Sequence, residues 1–65
     1  MNRFAANLKY YRTKAGLSQA ELAGKIDLDE RQIRYYEHAE NAPNAVHLYR
    51  MAQVFKIKLD DFFKK

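Results

Sequence analysis

Apolar side chains in this chain recur at the spacing of an α-helix, and over no strand-length stretch do they alternate with polar ones. Phe4, Leu8 and Tyr11, for example, follow the i, i+4, i+7 spacing of one helix face. The sequence holds only two glycines and one proline, so it lacks the turn pairs that separate the strands of β-proteins. The pattern therefore predicts an all-α fold.

Residues that begin and end helices divide the chain into five predicted helices. The first spans 2–15 and ends at Gly16, a residue that readily adopts the left-handed conformation. Ser18 and Glu21 have the spacing of a capping box, which predicts that a short second helix begins there. Asp27 tolerates turn geometry and Asp29 can cap a third helix over 30–38. After a loop over 39–44, Asn44 can cap a fourth helix, and 59–63 resembles a short last helix anchored by Phe62.

The small size of the chain limits what it can be. Its 65 residues predict one domain over 1–65, a compact five-helix bundle, and its formal net charge of +4 suits an anionic partner without demanding one. It has no cysteine, no apolar run long enough for a membrane span and no signal-peptide pattern, so we expect a cytoplasmic protein with no membrane association.

Enzymatic and metal-binding functions find no support in the residue pattern. His38 and His47 are nine residues apart, with no cysteine nearby and no carboxylate spaced to join them on one helix face, so we expect no metal site. Ser18 lacks a histidine and an acid arranged for nucleophilic catalysis, and its capping role accounts for it. A carboxylate pair at Asp60 and Asp61 suits the first turn of the last helix. We expect no enzyme, no cofactor and no small-molecule substrate.

The most informative stretch is 19–38, where two short helices are joined by a turn too tight for them to lie antiparallel. They must cross steeply, as in a helix-turn-helix motif, with a small residue, Ala23, at the crossing. The outer face of the third helix then projects from the body and fits the major groove of B-DNA. Arg31 can donate two hydrogen bonds to a guanine, which makes it the strongest candidate. The predicted base-reading residues are Glu30, Arg31, Gln32 and Tyr35.

From Leu8 to Phe62 the chain resembles the phage Cro and repressor family of helix-turn-helix proteins. The first, fifth and fifteenth positions of that family's motif are matched by Gln19, Ala23 and Ile33. The resemblance implies a lambda-repressor-like DNA-binding fold. It also implies that Arg12 and Glu37 form an ion pair inside the domain, as in phage members.

The resemblance further assigns DNA contacts to individual residues. It implies that Glu30, Arg31 and Tyr35 face the bases, that Gln19 contacts a phosphate, and that the loop around Asn41 and Asn44 touches the backbone. Helix N-termini favour anions, which makes such contacts physically reasonable. The predicted phosphate-contacting residues are Ser18, Gln19, Arg34, Asn41 and Asn44.

Several positions depart from the family's pattern. Where the family often has glycine, this chain has Asp27, Ala39 and Lys56, so we expect strain or a changed backbone at the turn and at two helix ends. The recognition helix also begins with acidic residues, Asp29 and Glu30, which would approach phosphates.

Two functional hypotheses follow. The first is a sequence-specific transcriptional regulator, most simply a repressor, that binds double-stranded DNA as a homodimer on a two-fold symmetric operator, with Phe63 as the candidate dimer contact. The second keeps the fold but makes the chain a protein-interaction module, such as an antirepressor, an antitoxin-like partner or an adaptor. Asp29, Glu30 and Tyr35 would suit a protein surface as readily as a DNA groove.

Overall fold

The computed structural model describes residues 3–38 and 43–64, where all the regular secondary structure is helical. Four α-helices are followed by one 3-10 helix. They are α1 (Arg3–Lys14), α2 (Gln19–Lys25), α3 (Glu30–His38), α4 (Ala45–Phe55) and the 3-10 helix Leu59–Phe63. The prediction of an all-helical chain is confirmed for the described residues. The C-terminal boundary of α1 lies one residue inside the predicted one.

Three of the helices end in the same way, with one residue in the left-handed conformation. Gly16 follows α1 with φ 75°, Asp27 follows α2 with φ 60° and Lys56 follows α4 with φ 57°. In each case the backbone N–H of the residue that follows the left-handed one donates to a carbonyl five residues earlier, for example from Leu28 to Ala23 at 2.9 Å. This is the Schellman motif, which satisfies carbonyls that the helix itself leaves open.

Asp27 and Lys56 therefore keep a geometry that glycine adopts more easily. For an L-residue the left-handed conformation costs roughly 1 kcal/mol or more, and aspartate tolerates it better than lysine because its short polar side chain can bond locally. We expected either strain or a changed backbone at the turn and at the end of α4. The backbone keeps the left-handed conformation at both places, so Asp27 and Lys56 bear the strain. Ala39, the third departure, lies outside the described residues.

The helix starts predicted from capping residues are confirmed. The Ser18 hydroxyl accepts from the Glu21 backbone N–H at 3.0 Å, and the Glu21 carboxylate accepts from the Ser18 N–H at 2.8 Å. The bonds from Ser18 favour the carboxylate form and lower the pKa of Glu21 below its usual value. Asn44 caps α4, its Oδ1 accepting from the N–H groups of Val46 at 2.7 Å and His47 at 3.4 Å.

A single apolar core lies between the helices. α1 contributes Phe4 and Leu8, and α2 and α3 meet through the buried side chains of Ala23 and Ile33, because a small residue at Ala23 lets the two helices approach. Arg50 on α4 donates to the Ile26 carbonyl at the end of α2, at 3.2 Å. The remaining core is built from Leu22, Ile26, Tyr36, Met51, Ala52 and Phe62.

The last predicted helix is a 3-10 helix, so the predicted five-helix bundle is corrected to four α-helices and one 3-10 helix in the described residues. Its range, Leu59–Phe63, agrees with the predicted one. Five residues can close few α-helical hydrogen bonds, and such short terminal turns adopt the tighter 3-10 form. Asn7 on α1 fixes this turn by donating to the carbonyls of Phe62 and Lys64, both at 2.7 Å.

Phe62 is fully buried while Phe63 is 47% exposed, as expected if one short turn cannot bury both rings.

Candidate nucleic-acid interface

Helix α3 has one face in the core and the opposite face in solvent. Ile33, Tyr36 and Glu37 are buried, and these positions recur at helical spacing on the side that packs against α1 and α2. On the other side the polar and charged residues are exposed, with Gln32 half-buried at the edge. The exposed residues are Glu30, Arg31, Arg34, Tyr35 and His38. This face presents the predicted base-reading residues to the outside of the molecule.

The charges on the exposed face are only loosely paired. Arg34 Nη2 lies 4.0 Å from a carboxylate oxygen of Glu30, and both side chains are more than half exposed. Such a surface pair contributes little, typically under about 1 kcal/mol. Arg31 forms no ion pair with any other described residue. Its guanidinium can therefore meet an external acceptor without first breaking an ion pair with these residues.

Beneath this face a buried carboxylate joins α3 to α1. Glu37 is 2% exposed, and its two oxygens accept from Arg12 Nε at 2.5 Å and Arg12 Nη2 at 3.1 Å. The remaining Nη1 of Arg12 donates to the Leu17 carbonyl in the α1–α2 turn at 2.9 Å. The hydrogen bond to Glu37 raises the pKa of Arg12 above its ordinary value, against the opposing effect of burial. The pair that the family resemblance implied is thus present as a bidentate contact.

Gln19, the first residue of α2, also contacts this carboxylate. Its Nε2 donates to Glu37 Oε1 at 3.1 Å, and its side chain is half-buried. The family resemblance assigned Gln19 to a phosphate, and this bond was not predicted. The i and i+18 positions carry no local signal for it, because the two residues meet only when α2 packs across α3.

A second set of bonds joins the end of α3 to the start of α4. The Tyr36 hydroxyl lies 2.8 Å from His47 Nδ1 and accepts from the Asn44 backbone N–H at 3.3 Å. Because the N–H can only donate, the hydroxyl proton is available for the histidine nitrogen. Asn44, predicted to touch phosphate, is exposed and is held beside α3 by this contact. Asn41, the other predicted loop contact, lies outside the described residues.

The described residues among those predicted thus fall into two groups by their place in the fold. Glu30, Arg31, Gln32, Arg34 and Tyr35 are brought together on α3, whereas Ser18, Gln19 and Asn44 stand at the beginnings of α2 and α4. The link between α3 and α4 through Tyr36 and His47 was not predicted from the sequence. An aromatic residue on the core face of α3 and a histidine in the first turn of α4 were the only signals, and neither is specific.

A metal-binding cluster and a membrane-spanning helix were also sought in the described part of the chain. Residues 3–38 and 43–64 contain no group of three His, Cys, Asp or Glu side chains that could hold a metal ion. In the same residues no helix has both the length and the apolar character needed to cross a membrane.

Two crossing helices, with the second exposing a polar face above a buried ion pair, define a helix-turn-helix DNA-binding domain of the transcription-regulator class. The family model for helix-turn-helix proteins matches residues 8–62. The chain belongs to this family, in its Cro and repressor type, which confirms the resemblance seen in the motif.

Relatives in two archaea are similar over most of the chain. A protein of Methanocaldococcus jannaschii named as an uncharacterized HTH-type transcriptional regulator is 32% identical over 56 residues, which cover 86% of this chain and 85% of the relative. A protein of the same description from Archaeoglobus fulgidus is 30% identical over 56 residues, covering 86% of this chain and 80% of that protein.

A solved structure also has this fold. The restriction-modification controller protein C.AhdI from Aeromonas hydrophila is similar with a TM-score of 0.85 and 28% sequence identity. The match covers 94% of this chain and 92% of that one.

Proposed function

We propose that this protein is a sequence-specific transcriptional repressor that inserts α3 into the major groove of its operator. The observation that supports this most strongly is the division of α3, with Ile33, Tyr36 and Glu37 buried and a continuous polar face exposed. An α-helix fits the major groove, where each base pair presents a distinct set of donors and acceptors. The proposed base-reading residues are Glu30, Arg31, Gln32 and Tyr35.

Phosphate contacts would set the orientation of α3 in the groove. Asn44 is suited to this role because its Oδ1 is already used in capping α4, so its amide NH2 is the part left to donate. The Ser18 hydroxyl accepts from Glu21 and still has its own proton to donate. The proposed phosphate-contacting residues are Ser18, Gln19, Arg34, Asn41 and Asn44, as in the sequence analysis.

The acidic start of α3 is compatible with this role. Glu30 lies near Arg34, which partly offsets its charge, and a carboxylate at a base edge can accept from a cytosine amino group.

The likeness to a restriction-modification controller protein and to HTH-type transcriptional regulators supports a regulatory role in the cytoplasm. Repression would follow when the bound protein blocks polymerase. A reporter promoter carrying the operator should lose expression when the protein is present, and unchanged expression would refute repression.

The test of DNA recognition is to select operators from random duplexes and then compare two variants on the selected site. Arg31→Ala should weaken binding by about 1 to 3 kcal/mol, or roughly five- to 150-fold, and should relax the preference at one base pair. Gln19→Ala should weaken all duplexes alike, because phosphates carry no sequence information. Affinity and its dependence on salt are measured by fluorescence anisotropy.

Binding of the wild-type protein should weaken steeply as salt rises, because each neutralised phosphate releases counterions. If Arg31→Ala and Gln19→Ala changed all duplexes equally, the assignment of base-reading residues would be wrong. If the wild-type protein bound no duplex even at low salt, the alternative of a protein-interaction module would be favoured.

We further propose that the protein binds as a homodimer through the exposed ring of Phe63. Phe63 is 47% exposed and Leu59, in the same turn, is 42% exposed, so the C-terminal turn presents apolar surface to solvent. Two-fold pairing would place recognition helices about 34 Å apart, one turn of DNA. Selected operators should then be inverted repeats, and Phe63→Ala should raise the dimer dissociation constant in sedimentation equilibrium. A wild-type protein that stays monomeric on single half-sites would contradict this.

A further inference from the structure

The side-chain amide of Gln19 is hydrogen-bonded to the carboxylate of Glu37, which is buried. Nε2 of Gln19 donates to Oε1 of Glu37, and Oε1 also accepts from Arg12 Nη2. Glu37 is 2% exposed, whereas Gln19 is half-buried at the first position of α2. One buried group therefore contacts both the scaffold and a residue at the edge of the DNA-facing surface.

We propose that Glu37 is a positioning residue for DNA binding, which orients the Gln19 amide so that its second N–H donates to a phosphate. This inference rests on the proposed function. The single juxtaposition that carries it is the 3.1 Å contact between the Gln19 amide nitrogen and the Glu37 carboxylate.

The chemistry of the two groups makes the orientation unambiguous. An ionised carboxylate only accepts hydrogen bonds, so Gln19 can meet Glu37 only with its NH2 group and not with its carbonyl oxygen. The NH2 group carries two protons that point in different directions, and one is used by Glu37. The other stays available to an external acceptor, and the side chain has lost its rotational freedom before DNA arrives. Such preorganisation strengthens binding because the ordering cost is met during folding.

Glu37 also belongs to α3, the helix that carries the base-reading residues. A phosphate bound by Gln19 would thus be linked to the recognition helix by one hydrogen bond, that from Gln19 to Glu37, as well as by the packing of α2. We therefore expect Glu37 to set the register between the backbone contact and the base contacts.

If Glu37 had only a structural role, Gln19 would contribute equally to DNA binding with and without it. The two roles can be separated by replacing Arg12 and Glu37 together. Replacing a buried ion pair by apolar residues of similar volume often leaves stability unchanged or raises it. The double variant Arg12→Met with Glu37→Met should therefore fold, while Gln19 loses the acceptor that orients it.

The experiment is a double-mutant cycle on affinity for the selected operator duplex. In the wild-type background Gln19→Met should weaken binding about tenfold, the loss of one hydrogen bond to a charged group. In the Arg12→Met, Glu37→Met background the same substitution should weaken binding by less than about threefold, because the amide is no longer aligned. Gln53→Met is the matched control, since the Gln53 amide donates to the Tyr49 hydroxyl on α4, 2.9 Å away, and its loss should leave affinity unchanged in both backgrounds.

Each result decides the proposal. An equal effect of Gln19→Met in the two backgrounds would overturn it, and so would no effect in either background while the wild-type protein still binds. A wild-type protein that binds no duplex would overturn the proposed function itself, and only that outcome removes both.

A second measurement keeps the proposal falsifiable if the double variant does not fold. In the ¹⁵N-labelled wild-type protein the two Gln19 side-chain amide protons are assigned by their disappearance in Gln19→Met, and one of them should lie outside the range of solvent-exposed glutamine amides because it is bonded to Glu37. Addition of operator duplex should move the other proton more. If both Gln19 protons had the shifts of a solvent-exposed glutamine amide and neither responded to DNA, the proposal would be overturned.

Discussion

Replacing Glu37 by alanine should destabilise the protein by about 3 to 5 kcal/mol, because it leaves the Arg12 guanidinium buried without its counterion. The side chain of Arg12 is only 11% exposed, so water cannot replace the lost carboxylate. A domain of this size rarely has more than about 3 to 5 kcal/mol of stability. The variant should therefore be largely unfolded at 25 °C, as measured by circular dichroism and urea denaturation.

Glu30→Ala is the matched control for this prediction. It removes the same type of side chain from the same helix, but from an exposed pair at 4.0 Å, so it should change the free energy of unfolding by less than about 0.5 kcal/mol. A loss of less than about 1 kcal/mol in Glu37→Ala would show that the buried pair is not needed for folding.

Phe62→Ala should cost a similar amount, about 3 to 5 kcal/mol, for a different physical reason. The ring of Phe62 is fully buried, and its centroid lies 5.4 Å from that of Phe4, 6.0 Å from that of Tyr11 and 6.3 Å from that of Phe55. Truncation removes the buried apolar area and leaves a cavity among rings that belong to α1 and α4 and cannot easily close it. The loss is measured as a shift of the urea midpoint.

Phe63→Ala serves as the control, because the neighbouring ring is about half exposed. At a protein concentration where the wild type is monomeric, it should cost under about 1 kcal/mol. Equal losses for the two variants would mean that the C-terminal turn does not hold Phe62 in the core. A small loss for Phe62→Ala would mean that the 3-10 helix contributes little to folding.

Much of the site could be predicted from the sequence because its signals are local. Arg31, Arg34 and Tyr35 share a face of α3 through the helical repeat alone, and their exposure agrees with that prediction. Their proposed DNA contacts remain predictions. The type of the last helix could not be predicted, since α and 3-10 turns of five residues have the same apolar pattern and differ by only a few hydrogen bonds.

The bonds that join helices were beyond the sequence-based analysis. Gln19 meets Glu37, Arg50 meets the carbonyl of Ile26, and Asn7 meets the carbonyls of the last turn. Each joins residues at least 18 positions apart, so no spacing rule applies to them. The Arg12–Glu37 pair was anticipated only because the family resemblance implied it.

By itself, the sequence determined where helices begin and end and which faces are apolar, because capping, left-handed termination and the 3.6-residue repeat act over a few residues. The tertiary structure alone decided which polar groups share the Glu37 carboxylate and how α3 stands on α1 and α2. Those contacts depend on the distance between helices after the core has closed. Burial then makes each hydrogen bond stronger and its loss more costly than in the unfolded chain, where water can replace either partner.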